Sequence, residues 1–359
     1  MKGDALRLRC VPSFFEKSVA EWEKICYTII SGEVSAGKGT HGMEFTGFLG
    51  NDAIKRRLTG AFASGRVAHS YLICGPEGSG RHTLARLLCA AMECTADGRN
   101  VPCGVCPGCR KALAGIHPDI ITVDDTEHKA MTVDPIRAAR SDMFIRPNEG
   151  LRKIYIIPRG QDMNESAQNA LLKILEEPPD YGAFLILATS AERLLPTIRS
   201  RCAELQLGPV EEREALPFLQ AHCPEQPENT LRAAYLRAGG FLGQALTLLQ
   251  TEEDPAVAGI AAAYAARDRM ALLRALLPME KYKRDPLTQV LRQLRESICA
   301  AMEQRSGLDT AMQSAAQMVA SRSGAELLQA ACDLQTAIDS LDANASAGAV
   351  IGWLAMKLR

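Results

Sequence analysis

The sequence predicts an α/β fold, with a mostly parallel sheet and flanking helices, followed by an all-helical region. Short apolar runs alternate with helical patterns from residue 43 to about 208, and strand signals vanish after Pro209. With 359 residues, 47% of them hydrophobic, the chain can form two or three domains with their own cores. We divide it into an N-terminal extension 1–42, an α/β domain 43–208, a small helical domain 209–255 and an all-helical domain 256–359.

The first 42 residues differ in character from the rest, and Met43-Glu44-Phe45 resembles a natural start. We interpret residues 1–42 as an extension or as the result of a start codon assigned too early. Within them, Gly32 to Thr40 almost matches a phosphate-binding loop. Gly39 stands at the hydroxyl position, however, and no helix follows to complete an anion site, so we treat this match as a decoy.

Four apolar runs in the α/β region predict buried strands: Tyr71–Cys74, Asp119–Val123, Lys153–Ile157 and Ala183–Ala188. Between the last two runs, apolar residues recur at helical spacing, with Asn164 placed to cap the helix and Pro178-Pro179 to stop it. Further on, short helices are expected within 210–250 and a longer one along the apolar face from Leu287 to Met302, followed by helices at 310–319, 325–341 and 345–358.

Composition and charge exclude several classes of protein. The net charge is −1 with 23% charged residues, so no global basic field attracts nucleic acid. Early apolar stretches are interrupted by Glu16, Lys17 and Glu21, which argues against a secretory signal, and no run approaches the roughly 20 apolar residues of a membrane span. We therefore expect a cytoplasmic protein, in which clustered cysteines favour metal binding over disulfides.

Four of the twelve cysteines lie close together in a turn-rich segment. Cys94, Cys103, Cys106 and Cys109 are separated by eight, two and two residues, with prolines and glycines between them. Four thiolates form the closed tetrahedral shell that zinc prefers in structural sites. We predict a structural Zn²⁺ module at 94–109, whereas the alternative is a set of unrelated buried thiols.

A glycine-rich turn follows the first predicted strand. Its glycines, Gly75, Gly78 and Gly80, match a phosphate-binding loop, but Arg81 replaces the lysine and His82 replaces the hydroxyl residue that binds magnesium. Arginine does not simply substitute for a buried lysine. We predict a degenerate loop that could still bind an anion weakly. We do not expect it to support magnesium-assisted hydrolysis.

The strand 153–157 lacks the acidic pair that a nucleotide hydrolase needs at its end. Pro158 and Arg159 stand where carboxylates would hold magnesium, and Asp162 comes about one helical turn too late. After the strand 183–188, Thr197 to Cys202 carries Arg199 and Arg201. Spacing alone favours a solvated basic turn there, whereas the alternative is an arginine presented to a neighbour's triphosphate.

At these residues the chain resembles the bacterial clamp-loader ATPase family, and within it the delta-prime branch of DNA polymerase III. The resemblance runs from about Phe45 to Cys202 and more weakly to the end. It rests on the order and spacing of five motifs: His69-Ser70-Tyr71-Leu72-Ile73, the four cysteines, His117-Pro118-Asp119, the run from Asn169 to Pro179, and Ser200-Arg201-Cys202.

The resemblance implies an AAA+ domain with a zinc module, a helical lid and a helical collar that mediates oligomerisation. In this family the Ser-Arg-Cys motif carries an arginine that acts in trans, and Arg201 matches it. Arg81, Pro158-Arg159 and Gly243, at the position of the family's lid arginine, depart from the ATP-hydrolysing gamma and tau subunits. The implied partners are gamma/tau, which bind ATP, delta, the sliding clamp and, through the complex, primed DNA.

The sequence leaves three hypotheses about function. The favoured one is a non-catalytic assembly subunit, and the alternative is a gamma/tau-like clamp-loader ATPase or a nucleotide kinase that uses Arg81 and Asp162 in an unusual geometry. A zinc-dependent nucleic-acid binder is the third, and the near-zero net charge disfavours it.

Overall fold

The computed structural model describes residues 42, 43, 45–96, 100–125, 128, 130–250, 254–307 and 313–358. The predicted extension 1–42 and its decoy loop lie outside the described residues, apart from Gly42. The chain forms two compact units. One takes the described residues up to Glu214 together with Phe241–Gly243, and the other takes Ala215–Gly240 with the residues from Gln244 onwards.

The first unit is built on a five-stranded parallel sheet with strand order β4-β5-β6-β2-β7. A separate short parallel pair joins β1 to β3. The strands are β1 (Gly42–Met43), β2 (Ser70–Cys74), β3 (Asn100–Val101), β4 (Ile120–Thr122), β5 (Lys153–Ile157), β6 (Gly182–Ala188) and β7 (Ala203–Gln206). The parallel sheet with flanking helices confirms the predicted fold class. The strand β7, at one edge, was not predicted.

Both faces of this sheet are covered. Tyr71 and Ile73 of β2 belong to one buried cluster, and Leu72 and Cys74 belong to another. Side chains alternate across a strand, so helices must cover both faces. The helices of this unit are α1 (Asp52–Ala63), α2 (Arg81–Met92), α3 (Pro107–Leu113), α4 (Val133–Met143), α5 (Glu165–Glu176) and α6 (Pro196–Arg199).

The helix α5 forms as its sequence predicts. The side chain of Asn164 accepts a hydrogen bond from the backbone N–H of Ala167, which caps the first turn. Leu171 and Ile174 are buried against the sheet. The helix therefore crosses from β5 to β6 with its apolar face on the core.

The second unit is helical throughout its described residues. Its helices are α7 (Glu212–His222), α8 (Glu228–Arg237), α9 (Leu242–Gln250), α10 (Pro255–Ala265), α11 (Arg269–Leu276), α12 (Arg284–Arg305), α13 (Gln313–Ser321), α14 (Gly324–Asp342) and α15 (Ala347–Lys357). The division between the two units cuts α7 and α9 near their first turns. Among the described helices, none is long and apolar enough to span a membrane. The separate lid and collar domains stay predictions.

Candidate functional site

The glycine-rich loop links β2 to α2 and so lies where a phosphate-binding loop meets a helix N-terminus. Gly80, which precedes α2, has a φ of 89° and Gly78 one of 73°, in the left-handed region that favours glycine. The loop is tightly wound, because a Cβ on Gly75 would lie 2.5 Å from the Ser79 Oγ. The loop therefore uses Gly78 and Gly80 at positions that favour glycine, although the lysine and the hydroxyl residue of a phosphate-binding loop are replaced.

Arg81 points inward at this loop. It is 9% exposed, and its Nη1 has no hydrogen-bond partner among the described residues. Burial lowers its pKa, an effect that the nearby Glu77 opposes. The Ser79 Oγ is likewise buried without a partner, whereas His82 is exposed. Unpaired buried donors are costly, so the loop offers groups that suit an anion. Position 82, where a phosphate-binding loop has the hydroxyl residue that binds magnesium, is taken by the exposed His82.

The residues 241–243 pack directly on the glycine-rich loop. The Gly243 N–H donates to the Gly78 carbonyl oxygen at 2.9 Å. A Cβ at Gly243 would lie 2.7 Å from the Gly78 Cα and 2.8 Å from its oxygen, closer than real Cβ contacts come. Only glycine fits this backbone-to-backbone approach without a shift of the chain.

At the end of β5 a guanidinium lies where a hydrolase has acidic groups. The Arg159 Nε and Nη2 donate to Asp124 Oδ1 at 3.0 and 2.8 Å, and Nη2 also donates to the Asp125 carbonyl oxygen at 2.6 Å. Its Nη1 lies 3.8 Å from Asp162 Oδ2. Asp124 follows β4, the neighbouring strand. Its carboxylate, the nearest substitute for the missing acidic pair, is thus engaged in a two-point ion pair.

The neighbouring Asp125 has a structural role. Its carboxylate accepts hydrogen bonds from the N–H and the hydroxyl of Thr132 at 3.1 and 2.6 Å and lies 2.8 Å from the His128 Nδ1. The Thr132 hydroxyl above all holds the pKa of Asp125 well below its usual range. Sequence analysis missed both aspartates, although two acidic residues directly after a strand are a recognisable signal.

The four predicted cysteines converge. The sulfurs of Cys94, Cys103, Cys106 and Cys109 all lie within 4.8 Å of one another, and the Cys103 and Cys109 sulfurs are 3.9 Å apart. A tetrahedral Zn–S shell with bonds of about 2.3 Å has sulfurs about 3.8 Å apart. The four-cysteine cluster could therefore bind a metal ion.

Backbone N–H groups donate to two of the cysteine sulfurs, which favours the thiolate form of these side chains. The Cys106 N–H points to the Cys103 sulfur at 3.3 Å, and the Cys109 N–H points to the Cys106 sulfur at 3.4 Å. Burial would raise the pKa of Cys106, but the hydrogen bonds from Cys109 and Thr95 outweigh it and lower the pKa to about 6. Burial raises the pKa of Cys109. Metal binding would deprotonate such a thiol.

A buried polar group anchors the cysteine segment to the sheet unit. Glu93, next to Cys94, accepts hydrogen bonds from the N–H groups of Leu151 and Arg152 at 2.8 and 3.1 Å. Burial raises its pKa to about 7. The Nε2 of His117 lies 3.8 Å from the Glu93 carboxylate, and burial lowers the pKa of His117. His117, the first residue of the His117-Pro118-Asp119 motif, is thus a buried support.

Arg201 follows α6 and is held by its own unit. Its Nη2 lies 2.7 Å from Glu176 Oε1, and its Nη1 donates to the Thr197 carbonyl oxygen at 3.0 Å. The side chain is 35% exposed. No hydrogen bond or ion pair among the described residues joins Arg201 to the glycine-rich loop. The site residues predicted from sequence therefore form three separate groups: the loop with Arg81, the cysteine cluster and Arg201.

Comparison with known proteins places this unit in a family. Residues 50–211, which include the complete five-stranded sheet, match the family described as DNA polymerase III, delta subunit. The delta' subunit of Pseudomonas aeruginosa DNA polymerase III is 33% identical over 174 residues. Over these residues the chain is similar to the clamp-loader subunits of DNA polymerase III. The family resemblance inferred from the sequence motifs is thereby confirmed.

The gamma subunit of DNA polymerase III from Buchnera aphidicola is another relative, 30% identical over 211 residues, which cover 57% of each chain. The match to the Pseudomonas delta' subunit covers 48% of this chain and 53% of that subunit. The chain thus spans little more than half the length of these curated relatives. A solved gamma subunit-related protein of Thermotoga maritima aligns over 81% of this chain and 95% of its own, with a TM-score of 0.39 and 16% identity.

Proposed function

We propose that this chain is the delta-prime subunit of a bacterial clamp loader, without ATP hydrolysis of its own. In this role it helps to load the sliding clamp on primed DNA and presents Arg201 to the ATP site of an adjacent gamma or tau subunit. Its further partner is the delta subunit, and its place is the cytoplasm. The helical second unit would supply the collar that holds the complex together.

The ion pair between Arg159 and Asp124 is the observation that supports this proposal most. Hydrolysis of a triphosphate needs carboxylates that hold magnesium and orient water at the end of this strand. Here a cation takes the place of the carboxylates and engages the acidic group of the next strand at 2.8 Å. A magnesium ion at this point would have to displace a guanidinium, which carries the same sign of charge.

The cysteine cluster supports a structural zinc ion in this proposal. All four positions of a tetrahedral shell are supplied by Cys94, Cys103, Cys106 and Cys109, so the ion has no open position for substrate. ATP would be bound by neighbouring subunits. The zinc module would fold the segment between α2 and α3 and take no part in chemistry.

A second candidate, a gamma/tau-like ATPase with an atypical nucleotide site, is favoured by one observation. Among the described residues, neither the Nη1 of the buried Arg81 nor the buried hydroxyl of Ser79 in the same loop has a hydrogen-bond partner, and both are donors that a phosphate could satisfy. This candidate predicts nucleotide turnover that depends on Arg81.

Turnover of ATP by the purified full chain separates the two candidates. The delta-prime proposal predicts no hydrolysis above that of a blank, with and without magnesium, and clamp loading only after reconstitution with gamma or tau and delta. Magnesium-dependent hydrolysis that is lost in Arg81→Ala would overturn the proposal and support the second candidate. Arg110→Ala, an exposed arginine of α3, is the matched control.

A further inference from the structure

The contacts of Arg201 define how its guanidinium is oriented before any partner arrives. Glu176, the last residue of α5, lies 2.7 Å from Nη2, and the Thr197 carbonyl of α6 accepts from Nη1 at 3.0 Å. The two acceptors come from different helices, so together they favour one position and one plane of the group. An arginine held at two points is restricted in rotamer.

These contacts leave the arginine available to a neighbour. A guanidinium has more N–H donors than two acceptors use, and the Arg201 side chain remains 35% exposed. The Glu176 side chain is itself 48% exposed, so water screens the pair and a phosphate can compete for the guanidinium. The pair is therefore a weak restraint, unlike the two-point ion pair of Arg159 with Asp124.

We propose that Glu176 is a positioning residue that orients Arg201 towards the triphosphate bound by an adjacent subunit. This inference rests on the proposed function of Arg201. An arginine that is already ordered loses less freedom when it meets the developing charge on the phosphate, and this lowers the barrier of the step that it assists. The carboxylate does not touch the nucleotide and acts only through the arginine.

The chain contains a matched control for this idea at the next position. Glu177 is an exposed glutamate at the end of the same helix, and it makes no ion pair among the described residues. An exposed ion pair contributes little to folding stability, so Glu176→Gln and Glu177→Gln should both leave the fold intact. Equal protection of α5 against amide exchange in both variants checks this.

The experiment uses the full chain reconstituted with the other clamp-loader subunits of its own organism, with kcat and KM for ATP measured in the presence of clamp and primed DNA. Relative to wild type, Arg201→Ala should lower kcat strongly. Glu176→Gln should lower kcat about threefold with KM unchanged, which is the size of effect that a half-exposed ion pair can exert. Glu177→Gln should match the wild type.

A double variant tests whether Glu176 acts through the arginine. Glu176→Gln combined with Arg201→Ala should be no slower than Arg201→Ala alone, because the residue that Glu176 orients is gone. Glu176→Asp, with a shorter carboxylate, should recover part of the lost rate.

Any other result of these measurements overturns either the proposed role of Arg201 or that of Glu176. If Arg201→Ala leaves kcat unchanged, the proposed arginine finger fails and this inference fails with it. If Arg201→Ala lowers kcat but Glu176→Gln does not, or raises it, the inference alone is overturned. The same holds if the effect of Glu176→Gln persists in the Arg201→Ala background, since Glu176 then acts independently of the arginine.

Discussion

The carboxylate of Asp119 accepts four hydrogen bonds, and its replacement by asparagine should destabilise the sheet unit. Its Oδ1 accepts from the N–H and the side-chain amide of Asn148 at 2.7 and 3.1 Å, and its Oδ2 accepts from the N–H groups of Glu149 and Gly150 at 3.0 and 2.8 Å. The residue is fully buried. It thus holds the loop that leads into β5.

The loss of folding free energy in Asp119→Asn can be worked out from these contacts. In Asp119→Asn one oxygen becomes an NH₂ group, which faces N–H donors and loses two hydrogen bonds. Hydrogen bonds to a charged group contribute about 1.5–3 kcal/mol each, so the loss is about 3–6 kcal/mol. Because Asn148 and Glu149 are exposed and water can reach the loop, we expect the lower end, about 3 kcal/mol.

Amide hydrogen exchange is the suitable assay, because a chain of two units need not unfold in a single two-state step. The N–H groups of residues 148–150 and of β5 should exchange about 100-fold faster in Asp119→Asn. Asp134→Asn is the control, since this exposed residue pairs, among the residues that the structure describes, with Arg137 alone, at 3.5 Å. Exchange in Asp119→Asn within about threefold of the wild type would refute the reasoning.

The same contact has a pH dependence of known sign. Burial alone would raise the pKa of Asp119, but the N–H groups of residues 148–150 outweigh it and hold the pKa below its ordinary value. A carboxyl whose pKa is lowered in the folded state stabilises the fold above its unfolded pKa, and this contribution is lost as the pH falls through the folded pKa. The difference in exchange between wild type and Asp119→Asn should therefore shrink below about pH 4.

Two further changes test other parts of the structure. Gly243→Ala should destabilise the packing on the glycine-rich loop by about 1–3 kcal/mol, because its Cβ would lie 2.7 Å from the Gly78 Cα. Gly60→Ala, in a helix with open space around the new Cβ, should instead stabilise the folded chain by about 0.5–1 kcal/mol. Equal denaturation midpoints for the two variants would contradict this expectation. Cys103→Ser should lower the zinc content of the purified protein from one per chain and expose residues 94–109 to protease, whereas Cys332→Ser, at an exposed cysteine outside the cluster, should change neither.

Local signals explain what could be predicted of the fold. The strands β2, β5 and β6 are short apolar runs, and the capped helix α5 has a clear periodicity, so each was placed within about a residue or two of its observed bounds. The edge strand β7 escaped notice because only Leu205 of its four residues is buried. A strand with one exposed edge carries little hydrophobic pattern.

The candidate site also has parts that the sequence predicts and parts that only the fold brings together. Cysteine spacing within sixteen residues predicted a cluster that the fold does assemble. The pair Arg159–Asp124 joins the ends of two strands, and the contact of Gly243 with Gly78 joins residues far apart in the chain. Such partners are set by strand order and packing, which a single sequence does not display. Sequence alone could therefore show that Arg159 replaces an acidic group, but not which carboxylate it neutralises.

The central claim, that this chain supplies Arg201 to another subunit's ATP site and hydrolyses none itself, is tested most directly in the reconstituted complex. We predict that Arg201→Ala lowers clamp-dependent ATP hydrolysis by about tenfold or more, as expected for loss of an arginine finger. Arg199→Ala, two residues earlier and paired with Glu204 at 3.5 Å, should leave it close to wild type. Unchanged hydrolysis in Arg201→Ala, or an equal loss in both variants, would contradict the account.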